Sequence, residues 1–223
     1  MHGLIGGPGL PARHRPLLLL VGALIVCAGT PAVSLAQPAN AERLAGVETL
    51  GWSVGNEDAP VTVVEFTDVS CPFCASFHRG TRAALREEFV ESHQVRWITL
   101  SYVSGLYPNS GTLSVAAECA GQQGRFEAFM EAAYADRDSW LRAGDTAISA
   151  VIEDLAEATD LEMTGFVSCL LDVSPAERIR KITELARELG VRGTPTWFVE
   201  GFPVMGDLPL EYARSFITSQ LGR

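Results

Sequence analysis

Val61-Thr62-Val63-Val64-Glu65-Phe66-Thr67-Asp68-Val69-Ser70-Cys71-Pro72-Phe73-Cys74 is the stretch that decides the fold. Its first six residues form a β-branched, largely apolar run that suits a buried central strand. Asn56-Glu57-Asp58-Ala59-Pro60, just ahead, is a turn signal. Thr67 to Ser70 reads as a short loop. A helix is expected to start at or beside Cys71, with Ser70 or Asp68 as its cap. Pro72 falls in the first turn, where a missing N–H costs no hydrogen bond. Phe77, Ala84, Leu85 and Phe89 give this helix an apolar face, and it is expected to run to about Glu91. Val95-Arg96-Trp97-Ile98-Thr99-Leu100 alternates and reads as a second strand. A strand, a helix and a strand at this spacing make a βαβ unit with parallel strands.

Farther along, the pattern turns helical. Apolar residues recur at helical spacing from Ser110 to about Leu189, with helices expected near 110–122, 124–135, 145–158, 163–171 and 175–189. That is too much helix for one crossover. Thr196-Trp197-Phe198-Val199, the turn Glu200-Gly201 and Phe202-Pro203-Val204-Met205 then read as a hairpin, with Pro203 suited to an edge strand. Leu208 to Leu221 closes the chain as an amphipathic helix. Upstream, Ala39 to Asp58 is polar and small apart from Leu50-Gly51-Trp52, which reads as a first strand or docking segment. The order βαβ, helical segment, ββα is that of an α/β thioredoxin fold with an inserted helical domain. Residues 59–107 and 190–223 form the thioredoxin-like part, 108–189 the insertion, and 37–58 a linker or N-terminal segment.

The 223 residues carry a formal net charge of −10. An acidic chain of this kind lacks the basic face that a nucleic-acid partner requires. The first 36 residues stand apart from the fold. Arg13, His14 and Arg15 precede the apolar run Leu17–Ala28, and Val33-Ser34-Leu35-Ala36 ends it with small residues. This is the layout of a signal peptide cleaved after Ala36, and an uncleaved membrane anchor is the alternative. Cys27 lacks the small preceding residue that lipid attachment calls for. Either arrangement places the domain in an oxidising, periplasmic or otherwise extracytoplasmic compartment, where paired cysteines form disulfides.

A Cys-x-x-Cys pair at a helix start has a specific chemistry. The first sulfur sits near unsatisfied N–H groups and the positive end of the helix dipole, which favours its thiolate. The second lies one turn further in. Cys71 is therefore read as the nucleophile and Cys74 as the resolving thiol, a redox-active pair. Pro72 stiffens the turn, and Phe73 brings no hydrogen-bond donor. A zinc site would need four ligands. Cys119 and Cys169 lie too far apart in sequence to supply a second close pair, and adding His78 still leaves the set one short. No metal and no cofactor is expected.

Ala59-Pro60-Val61-Thr62-Val63-Val64-Glu65-Phe66-Thr67-Asp68 ahead of Cys71-Pro72-Phe73-Cys74 resembles the DsbA family of bacterial thiol:disulfide oxidoreductases. Gly190-Val191-Arg192-Gly193-Thr194-Pro195-Thr196-Trp197-Phe198-Val199 is similar to that family's cis-proline segment. Ala116-Ala117-Glu118-Cys119-Ala120 and Gly124-Arg125-Phe126 resemble its helical insertion. The resemblance covers roughly residues 50–221. It implies a cis Thr194–Pro195 bond opposite the cysteines, with Thr194, Pro195, Pro72 and Phe73 bearing on substrate. It also implies a catalytic role for Glu65: buried beneath the pair, its pKa should rise and it should relay a proton to or from Cys74. A partly exposed carboxylate at a strand end is the alternative.

The function so implied is donation of disulfides to exported, thiol-containing polypeptides, with reoxidation by a membrane redox partner. The family's best-known oxidant has histidine where this chain has Phe73, so a reductase or isomerase kept reduced by a membrane donor is the alternative. A redox-inactive chaperone or binding module is a third, disfavoured by the intact pair. Cys119 and Cys169 fit equally a structural disulfide and two buried thiols. Tyr102 to Asn109, with its two tyrosines, is a candidate wall of a peptide groove.

Overall fold

The computed structural model describes residues 39–222. The expected leader, 1–36, and its cleavage point lie outside them. Among the described residues no helix is long and apolar enough to cross a membrane. The elements in order are α1 (Ala39–Arg43), β1 (Trp52–Val54), β2 (Val61–Thr67), α2 (Pro72–Arg79), α3 (Thr81–Leu85) and β3 (Val95–Ser101). After these come α4 (Ser110–Gln122), α5 (Phe126–Ala135), α6 (Arg137–Trp140), α7 (Asp145–Ala158), α8 (Met163–Leu170) and α9 (Ser174–Glu188). Hairpin strands β4 (Thr196–Val199) and β5 (Phe202–Met205) and helix α10 (Leu210–Leu221) end the chain.

The five strands form one sheet in the order β1-β3-β2-β4-β5. β2 and β3 are parallel, in a register running from Val61 opposite Val95 to Thr67 opposite Ser101. β4 runs antiparallel to β2, β5 to β4, and β1 to β3. Because side chains alternate along a strand, β2 feeds two cores. Val61 and Val63 pack with Phe77, Leu85, Trp97, Trp197 and Ile217 on the face covered by α2, α3 and α10. Val64 and Phe66 pack with Ile98, Leu100, Phe198, Ile182 and Ala186 on the other. Helix α9, which the sequence groups with the insertion, thus lies on the sheet. The segment read as a linker also contributes, through buried Leu44 and Val47.

The helix after Cys71 is not continuous to Glu91. It breaks at Gly80, whose φ and ψ of −111° and −101° leave the helical region. It resumes as α3 and ends in a π turn over Arg86–Val90, where Glu91 N–H reaches back to the Arg86 carbonyl at 3.1 Å. A glycine is the residue that permits such a break at least cost. The insertion has its own core, in which Phe129, Trp140, Phe166 and Leu113 are buried together with the two active-site cysteines. Cys119 on α4 and Cys169 on α8 are joined by a disulfide, with Cα atoms 5.7 Å apart. This resolves the alternatives that sequence left open.

Candidate active site

Cys71 occupies the N-cap position of α2 in an extended conformation, and Pro72 takes the first helical position. The Cys71 N–H is tied to the Asp68 carbonyl at 2.9 Å, and the Cys71 carbonyl accepts from Ala75 N–H at 3.1 Å. Cys74, one turn on, is fully buried. Both are free thiols. Opposite them the Thr194–Pro195 bond is cis. The loop carrying it is held by the Thr196 hydroxyl on the Gly193 carbonyl, 2.7 Å, and by Gly206 N–H on the Pro195 carbonyl, 2.8 Å. The Cys71 thiol donates to the Thr194 carbonyl at 3.4 Å, so the two sequence-distant segments meet at the sulfur.

The two sulfurs are electrostatically unequal. A hydrogen bond from Cys74 to the Cys71 thiolate outweighs burial, and Thr194, the Cys74 N–H and Tyr107 add to it, lowering the Cys71 pKa to about 5. Burial, reinforced by Cys71, pushes Cys74 well above an ordinary thiol. One sulfur is thus poised to be an anion at neutral pH and the other to be its donor. Phe73, between them, is 63% exposed.

Glu65 departs from expectation. It is buried on the α2/α3 face of the sheet, in register with Thr99 of β3 and Trp197 of β4. Its Oε1 lies 2.8 Å from His78 Nε2. Its Oε2 accepts from Arg82 Nε at 3.0 Å and from Trp97 Nε1 at 2.8 Å. Arg82 also donates to Glu127 at 2.7 Å and to Thr99 at 3.3 Å. Burial alone would raise the Glu65 pKa, but His78, Arg82 and Trp97 together outweigh it and bring the pKa to about 2. The expectation of a raised pKa is therefore corrected: three donors stabilise the carboxylate that burial would have penalised. A carboxylate that stays ionised at neutral pH has no proton to give to Cys74.

Sequence reading missed most of this cluster. His78 and Arg82 follow Cys74 at four-residue intervals, so polar residues at helical spacing behind a buried cysteine were the available signal. Glu127, from the insertion, had none. His78, four residues past Cys74, faces Glu65. Among the described residues no group of His, Cys, Asp or Glu is gathered as metal ligands would be.

The loop before Cys71 is clamped from the insertion side. Arg137 Nε donates to the Ser70 carbonyl at 2.8 Å, and the Ser70 hydroxyl to the Pro108 carbonyl at 3.0 Å. The buried Asp68 carboxylate accepts from Ser70 N–H, from both N–H and hydroxyl of Ser104, and from the Ser110 hydroxyl, at 2.7–3.1 Å.

A family model described as Thioredoxin matches residues 49–219. The chain is 34% identical over 148 residues to a Na(+)/H(+) antiporter NhaA 3 of Salinispora tropica, a match covering 66% of this chain and 21% of that protein. It thus spans about a fifth of the antiporter's length. It is 28% identical over 189 residues to a probable disulfide bond formation protein D of Bacillus cereus, covering 80% and 84% of the two chains. Among solved structures, alpha-DsbA1 of Wolbachia pipientis superposes with a TM-score of 0.68 at 20% identity, over 77% of this chain and 91% of that one. At that identity the likeness is one of fold: a thioredoxin fold carrying a helical insertion.

Proposed function

Because the chain belongs to the thioredoxin family, we propose that it is an exported thiol–disulfide oxidoreductase that donates the Cys71–Cys74 disulfide to thiol-bearing polypeptides outside the cytoplasm. The observation that carries this reading is the Cys71 sulfur at the N-terminus of α2, facing the cis Thr194–Pro195 bond.

In the exchange, a substrate thiolate attacks the Cys71 sulfur. The Cys71–Cys74 bond breaks, and Cys74 leaves with the electron pair and takes a proton, as its raised pKa favours. A second substrate thiolate then attacks the substrate sulfur of the mixed disulfide and releases Cys71 as a thiolate. Two electrons pass from substrate to protein, and a membrane partner that accepts two electrons restores the disulfide. A stable Cys71 thiolate is a good leaving group, so it favours donation over reduction. The curated relative named as a disulfide bond formation protein supports the same direction.

The test is transfer. Oxidised protein mixed with a reduced, unfolded polypeptide is expected to yield one substrate disulfide per protein oxidised. Cys71→Ser and Cys74→Ser, neither of which can form the donated disulfide, should each abolish this. Transfer by Cys71→Ser equal to that of the unaltered protein would refute the assignment.

A further inference from the structure

The side chains of the two middle residues of the pair add no donor to those that Cys74 and Thr194 already give the Cys71 sulfur. Pro72 has no N–H, and Phe73 offers no polar atom and turns outward. A further donor has to come from outside the pair, and the loop between β3 and α4 is placed to bring one. Ser104 and Ser110, at its two ends, both bind the buried Asp68 carboxylate, three residues before Cys71. Pro108, inside the loop, is tied to Ser70, the residue next to Cys71. Asn109 adopts a left-handed conformation, φ 58°, and its side-chain amide reaches the Trp140, Leu141 and Ala143 carbonyls at 3.1–3.2 Å. Tyr107 lies between these anchors. Its ring packs, half-buried, against the apolar cluster that contains Cys71 and Cys74.

Resting on the reading that Cys71 works as a thiolate, we infer that Tyr107 is a catalytic residue whose hydroxyl donates to the Cys71 sulfur, and that Asp68 is the positioning residue that holds it there. Tyr107 and the Cys71 sulfur act on each other: the phenol helps to lower the thiol, and the sulfur, with partial burial and the nearby thiolate charge, pushes the phenol up to about 12. A phenol held that high stays protonated, so it is a donor throughout the pH range in which the thiolate exists. Hydrogen bonds to charged groups are the stronger kind.

The experiment is a pH titration of thiolate absorbance on the reduced protein, comparing the unaltered chain with Tyr107→Phe. The Cys119–Cys169 disulfide does not titrate, so among the described cysteines the signal comes from Cys71 and Cys74. Tyr107→Phe is expected to raise the Cys71 midpoint by about one pH unit. Its equilibrium with glutathione at pH 7 should shift about tenfold toward the disulfide, about 30 mV more reducing. Asp68→Asn should move the midpoint in the same direction, and the double variant should move it no further than Tyr107→Phe alone. A Tyr107→Phe titration superimposable on that of the unaltered protein would overturn the inference and leave the proposed function standing. An unaltered protein whose Cys71 titrates like an ordinary thiol would overturn both.

Discussion

Replacing Glu65 by Gln keeps the side chain's shape and removes its charge, and the consequence depends on pH in a calculable way. The carboxyl lies at about 2 in the folded protein, against an ordinary 4.5. A group whose folded pKa is depressed contributes stability that is complete above the unfolded value and is lost as pH falls through the folded one. The difference amounts to about 3 kcal/mol at pH 7, and by pH 3 about 2 kcal/mol of it is gone. Glu65→Gln has no such group to titrate. At pH 7 it should be destabilised by about 3 kcal/mol, in the range for removing one partner of a buried ion pair, because Glu127 is then the one carboxylate paired with Arg82. Between pH 7 and pH 3 the gap between the two proteins should narrow by about 2 kcal/mol, read as a convergence of urea midpoints by about 1 M. The assay is urea unfolding followed by tryptophan fluorescence, with the Cys71–Cys74 pair held in one redox state throughout. A gap that stays constant over that range would mean that the Glu65 carboxyl has the same pKa folded and unfolded, and would refute the charged network.

Two further changes probe the scaffold. Replacing both Cys119 and Cys169 by Ala releases a crosslink spanning 50 residues. The loop-entropy relation puts the loss at about 4 kcal/mol, measurable as a lower urea midpoint with the thiolate titration of Cys71 unchanged. Gly121→Ala would set a Cβ against the ring of Trp52. Since Trp52 is fixed by its hydrogen bond to Glu118 at 2.9 Å, the variant should lose about 1–3 kcal/mol by thermal or urea unfolding.

How much of this was legible in the sequence follows from how local each signal is. The β-branched run 61–66 and Pro72 just past Cys71 specify their conformations from near neighbours, and strand β2 and helix α2 form where those signals point. The alanine-rich helices of the insertion are legible for the same reason. Gly80 carried a break signal, but the apolar positions on either side, Phe77 and Leu85, kept one helical period and masked it. The fate of Glu65 is a different case. Its partners come from α2, α3 and β3, and Arg82 is shared with Glu127 of α5. Only the assembled fold decides whether burial or pairing wins, and here pairing does. Tyr107 was visible as part of a tyrosine-bearing loop. Its place beside Cys71 depends on Asp68 binding Ser104 and Ser110, contacts 36 and 42 residues apart in sequence.

The central claim is that a stabilised Cys71 thiolate makes this pair a disulfide donor, and its reduction potential tests that most directly. With Cys71 near 5, ionisation at pH 7 favours the reduced form by about a hundredfold over a thiol that stays protonated, which corresponds to about 60 mV. Equilibrating the purified domain, residues 37–223, with glutathione buffers should therefore give a potential less negative than about −200 mV. A potential of about −250 mV or lower, in the range of protein reductants, would contradict the account.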